Sequence, residues 1–115
     1  MSMEKLNKSK RMSQIVIHGD TIYLAGQVAA DTKQGMKAQT ESVLGKIDAL
    51  LATAGTDKSK LLMATIYISD KYQVAAMNEA WDAWVDPESP PARACVEAQF
   101  PRDGLLVEIV VTAAK

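Results

Sequence analysis

The chain has 115 residues, 48% of them hydrophobic and 23% charged, with a net charge of −1. That length fits one domain over residues 1–115, and the composition excludes disorder, which needs low hydrophobicity and high charge. With a pI near 5.8 there is no general field to gather phosphate backbones, so no nucleic-acid partner is expected.

The N-terminal segment holds Lys5, Lys8, Lys10 and Arg11 without interleaved aromatics, and reads as a solvated arm. It lacks an apolar targeting core, and no apolar run approaches the roughly 20 residues of a membrane span. Cys95 is the single cysteine. An intrachain disulfide and a multi-cysteine metal site are thereby ruled out, and a reducing, cytoplasmic setting without a membrane partner is expected.

Gln14–His18 and Thr21–Ala25 read as two strands of a hairpin turning at Gly19-Asp20, with Gly26 free to bend or to approach a ligand closely. Asp31–Gly35 is polar loop. From Met36 to Ala54, the residues Thr40, Val43, Leu44, Ile47, Leu50 and Leu51 form one apolar stripe of a helix stopped by Gly55. Leu61–Ile68 is a third strand, with Ala64, Ile66 and Ile68 on one face. A second helix over Tyr72–Val85 buries Val74, Met77, Trp81, Trp84 and Val85, its two tryptophans filling core, and Asp86-Pro87 ends it. Ala92–Gln99 and Leu105–Ala113 read as a closing hairpin through Pro101-Arg102-Asp103-Gly104. The order β-β-α-β-α-β-β predicts an α+β fold, one mixed sheet with both helices on one face.

In the last strand Val107, Ile109 and Val111 can face the helices, while Leu106, Val110 and Thr112 make the opposite side apolar as well. A second copy of the sheet is the economical cover, so a homo-oligomer is expected. In the preceding strand Ala94, Val96, Ala98 and Phe100 are expected in the core. Arg93, Cys95, Glu97 and Gln99 then fall on the face of subunit contact, where a charge must be paired or wet. The partner of Arg93 is either a protein carboxylate such as Glu97 or Glu108, or a ligand carboxylate held bidentately; the residue types leave both open.

Cys95 could be a nucleophile only if the single histidine, His18, reached it from the first hairpin; otherwise it is a small buried hydrophobe. Phosphate loops, dinucleotide glycine patterns and paired-histidine metal motifs are missing from the sequence, and no cofactor is expected.

The segment Pro90-Pro91-Ala92-Arg93-Ala94-Cys95-Val96-Glu97, followed by Val107-Glu108-Ile109, resembles the closing signature of the RidA/YjgF family. Leu24-Ala25-Gly26-Gln27, Ala64-Thr65-Ile66-Tyr67-Ile68 and Met77-Asn78 extend the likeness over most of the chain. Arg11 and Ala76–Val85 are most similar to its short YoaB-like branch. The resemblance implies a chorismate-mutase-like homotrimer with a central barrel and clefts between subunits, and cofactor-free hydrolysis of reactive 2-imino acids or enamines to 2-oxo acids and ammonia. It also implies that Arg93 clamps the ligand carboxylate, and that backbone groups at Gly26 and Cys95 contact the reacting end.

Three positions depart from the family pattern. Val110 stands where a glutamate positioning the attacking water is expected, Ala25 replaces a serine, and Met12 a tyrosine. Glu108 is expected on the opposite side of its strand from Val110, unable to replace that glutamate. A binding module for a small carboxylate, such as a 2-oxo acid, is therefore the alternative to a deaminase. Ribonuclease activity, attached to some members by name, fits poorly with the acidic balance.

Overall fold

A computed structural model describes residues 2–115. Its strands are β1 (Met3–Lys8), β2 (Ser13–His18), β3 (Thr21–Leu24), β4 (Gln27–Val28), β5 (Leu61–Ile68), β6 (Ala92–Glu97) and β7 (Val107–Ala114). Two helices, α1 (Met36–Thr53) and α2 (Val74–Trp84), complete the fold, and 3₁₀ turns at Lys58–Lys60 and Lys71–Gln73 lead into β5 and α2. The strands form one sheet in the order β1-β2-β3-β7-β5-β6, with β4 alongside β7. None of the helices among the described residues is long and apolar enough to cross a membrane.

The expected α+β class, both helices, the first hairpin and the limits of β5 stand as the sequence implied. Gly19, at φ 61°, makes the hairpin turn, and Gly55, at φ 84°, stops α1. Both sit in the left-handed region where a residue without Cβ is unstrained. Val43, Leu44, Ile47 and Leu51 of α1 and Met77 and Trp81 of α2 meet Ala64, Ile66, Val107, Ile109 and Val111 in one core. Leu106 also packs against that core, instead of lying on the opposite face.

Two expectations are corrected. The basic N-terminal segment is not a free arm: Met3–Lys8 pairs antiparallel with β2, with Lys5 opposite Val16 and Leu6 opposite Ile15. Its charged residues keep their side chains exposed, while one edge of its backbone pairs with β2 in the ladder. The charge pattern masked a strand whose only core contact is Leu6.

The closing hairpin is also absent. Strand β6 pairs in parallel with β5, and β7 lies on the other side of β5, antiparallel to it and to β3. Parallel pairing needs a long crossover, which the α2 segment supplies. The turn chemistry of Pro101–Gly104 marks a change of direction but cannot specify which strand comes next to which. Gln39, fully buried, pins this connection. Its Nε2 donates to Gln34 O and Gly104 O at 2.9 and 2.8 Å, and its Oε1 accepts from Leu106 N at 3.0 Å.

Removing that amide takes one partner each from the Gln34 and Gly104 carbonyls and from the Leu106 N–H, and empties a fully buried side-chain position. Gln39→Ala should lower the unfolding free energy by about 2–3 kcal/mol, read as a lower urea midpoint at unchanged slope. A midpoint equal to wild type would show that the connection is held by something else.

Candidate functional site

The parallel register sets Arg93 beside Ala64, Cys95 beside Ile66 and Glu97 beside Ile68. Ala64, Ile66 and Ile68 are core residues under the helices, so Arg93, Cys95 and Glu97 share the helix-covered face. This reverses the expected assignment: Ala94 and Val96, exposed, lie on the open face, and Val96 is not core. The reason is the parallel register with β5, which sets Ala94 and Val96 beside Thr65 and Tyr67, the residues of β5 that alternate with its core positions.

Arg93 leans over α2. Its Nη1 donates to Asn78 Oδ1 at 2.7 Å and its Cζ lies 5.5 Å from the centre of the Trp81 ring. Neither carboxylate considered for a structural pair reaches it. Glu97 accepts from Lys71 N at 2.8 Å, and among the described residues the one ion pair is Lys37 with Glu79, at 3.2 Å. The guanidinium is exposed, oriented and without a carboxylate partner. Asn78 and Trp81, three residues apart on one helix face, were not legible as its supports, because Trp81 is also a core residue at 5% exposure.

Cys95 is half-buried against the core. His18 on β2 is separated from β6 by β3, β7 and β5, about 19 Å at the usual strand spacing, so no Cys-His pair forms within the chain. The main chain at Cys95 is in a different position from its thiol. Ala98 N–H donates to Ile68 O, toward β5. Alternation along the strand then turns the amides of Val96 and Ala94 the same way and leaves those of Cys95 and Arg93 on the free edge.

On the open face, Glu108 and Val110 are two residues apart and so project to the same side of β7. Glu108 therefore does not point away from Val110, as the sequence reading had it. It lies beside Gly26: a Cβ built there would collide with Glu108 Oε2. The bend that brings Gly26 into place is held by Gln27, whose Nε2 donates to Gln14 Oε1 at 2.8 Å and to Ala25 O at 3.0 Å. Next to Glu108 is a hollow of about 300 Å³ lined by Tyr67, Ala98, Gln99, Phe100, Pro101 and Val110. A second hollow, of about 240 Å³ between the helices, touches none of the expected site residues. Met12, in the β1–β2 turn, is exposed at 44%.

The chain matches the model of the family described as Endoribonuclease L-PSP over residues 3–115. A RutC family protein of Haemophilus influenzae is 45% identical over 98% of both chains, and the RutC family protein YoaB of Escherichia coli is 40% identical over 99% of both. The crystal structure of a YjgF-family protein from Neisseria meningitidis superposes with a TM-score of 0.95 at 41% identity, covering 100% of this chain and 96% of that one. The chain belongs to the YjgF/RidA family. In this YjgF/RidA chain an acidic side chain, Glu108, shares the open face with Val110, where the sequence implied a mainly apolar surface.

Gly26→Ala isolates the contact between glycine and carboxylate. Gly26 is not in the left-handed region, so alanine is tolerated by the backbone, and the flexible carboxylate must yield. Thermal unfolding should stay at or slightly above wild type, while a crystal structure of the variant shows Glu108 displaced. A large loss of stability with Glu108 unmoved would contradict this.

Proposed function

We propose that this YjgF/RidA protein is a cofactor-free deaminase of reactive 2-imino acids or their enamine tautomers, releasing a 2-oxo acid and ammonia. The observation that carries the reading is the Glu108 carboxylate beside Gly26. Arg93, oriented and without a protein carboxylate, holds the ligand carboxylate bidentately. The free-edge amide of Cys95 and the backbone of Gly26 contact the reacting end. Glu108 takes a proton from water as its oxygen bonds to the imine carbon and passes it to the nitrogen, giving a carbinolamine; it then moves the carbinol hydroxyl proton to the nitrogen as the carbonyl forms, and the C–N bond breaks to release ammonia.

Arg93 and Glu108 lie on opposite faces of one sheet and do not converge within a chain. We therefore propose that the site forms between copies, the β6 edge of one against the Gly26–Glu108 face of the next, in a homotrimer. Exposed Tyr23 and Val96, with Val110, give the open face the apolar character that such packing covers. The argument for a binding-only module began from Val110 as the sole occupant of the base position. Glu108 on the same face supplies a carboxylate two residues from that position, which favours the deaminase reading. An endoribonuclease reading, suggested by the family description, has little support in a chain of net charge −1.

Two measurements test the proposal. With 2-iminobutanoate generated in a coupled assay, Glu108→Gln should cut kcat by about 10²–10⁴-fold, whereas Arg93→Ala should act mainly on KM, by roughly 10–100-fold. Wild type that binds 2-oxobutanoate through Arg93 without accelerating imine loss would instead establish a binding module. Sedimentation equilibrium should give the mass of three 12.5 kDa chains; a monomer that still turns over imine would remove the intersubunit site.

A further inference from the structure

We infer that Asn78 is a positioning residue for the Arg93 clamp, and that its neutrality is what leaves the guanidinium charge available to an anionic ligand. The inference rests on the reading of Arg93 as the carboxylate clamp. Arginine carries five N–H donors in a rigid fork. Here one nitrogen, Nη1, is engaged by an uncharged amide oxygen at 2.7 Å, and the plane is supported by the Trp81 ring at 5.5 Å. Both partners fix direction, and neither has a net charge to offset that of the guanidinium.

Two acidic groups close to these residues are engaged elsewhere, and Asp82, next to Trp81, makes no ion pair with Arg93. Glu79, next to Asn78 on α2, pairs with Lys37, and Glu97, on the same face of β6 as Arg93, caps the Lys71 N–H. Among the described residues no other side chain or carbonyl accepts from Arg93. An aspartate at position 78 would have nearly the same shape and could make the same hydrogen bond. It would also compete with the ligand, because a charge-assisted pair within the protein satisfies the guanidinium that the ligand carboxylate needs. An alanine would remove the orientation and leave the charge.

These differences define the test. Binding of 2-oxobutanoate and of its uncharged methyl ester is measured by calorimetry for wild type, Asn78→Ala, Asn78→Asp and Arg93→Ala, with imine-hydrolysis kinetics alongside. Asn78→Ala should weaken binding of the acid about tenfold and Asn78→Asp about a hundredfold. The ester should be nearly unaffected by either, and KM should rise while kcat stays within about threefold of wild type. If Asn78→Asp binds the acid as tightly as wild type, or loses acid and ester alike, the inference is overturned. Arg93→Ala separates the two levels. Should it leave 2-oxobutanoate binding intact, the clamp reading falls and this inference with it; should it weaken the acid while Asn78→Asp does not, only the role of Asn78 is lost.

Discussion

Because β6 pairs with β5 in parallel, with Cys95 beside the fully buried Ile66, the side chains of Arg93, Cys95 and Glu97 are committed to the helix-covered face. A slip of one residue would move Ala94 and Val96 under the helices and turn the guanidinium to the opposite side. The register is held from both ends of this segment. Glu97 accepts the Lys71 N–H just before α2, and Arg93 reaches Asn78 and Trp81 within α2. Strand and helix thus fix each other, and the direction of Arg93 follows from the packing of an entire element instead of from one contact.

The other half of the site depends on a much smaller piece of structure. Strand β4 has only two residues, Gln27 and Val28, opposite Ile109 and Glu108 of β7. The buried Gln27 side chain ties the bend before it to β2, and the missing Cβ at Gly26 gives the Glu108 carboxylate its place. No cation among the described residues pairs with Glu108.

What the sequence made legible was local. The stripe in α1, the limits of β5 and the glycine stops follow from periodicity and from conformations near each residue. The pairing of β6 was not legible, since a turn-rich segment such as Pro101–Gly104 suits a hairpin and a crossover equally. The error in face for Arg93 followed from that error in pairing. Glu108 was misplaced for a simpler reason: its separation of two residues from Val110 puts both on one side of the strand. The supports of Arg93 were hidden because Asn78 and Trp81 sit in a helical stripe whose spacing core packing already explains, and β1 was hidden by its charge.

Arg93 and Glu108 are opposite charges whose proposed uses require that they not find each other first. In the chain they occupy opposite faces of the sheet with β5 between their strands, so folding of one protomer cannot consume them in an internal ion pair. On the proposed reading they approach only across a contact between copies, with the ligand between them. A ligand carboxylate then meets a guanidinium that neutral partners have oriented, and water meets a carboxylate that no arginine has neutralised. On that reading, separation within the protomer and convergence between copies are one design feature, and an apolar open face packed between copies also keeps bulk water from the charges it brings together.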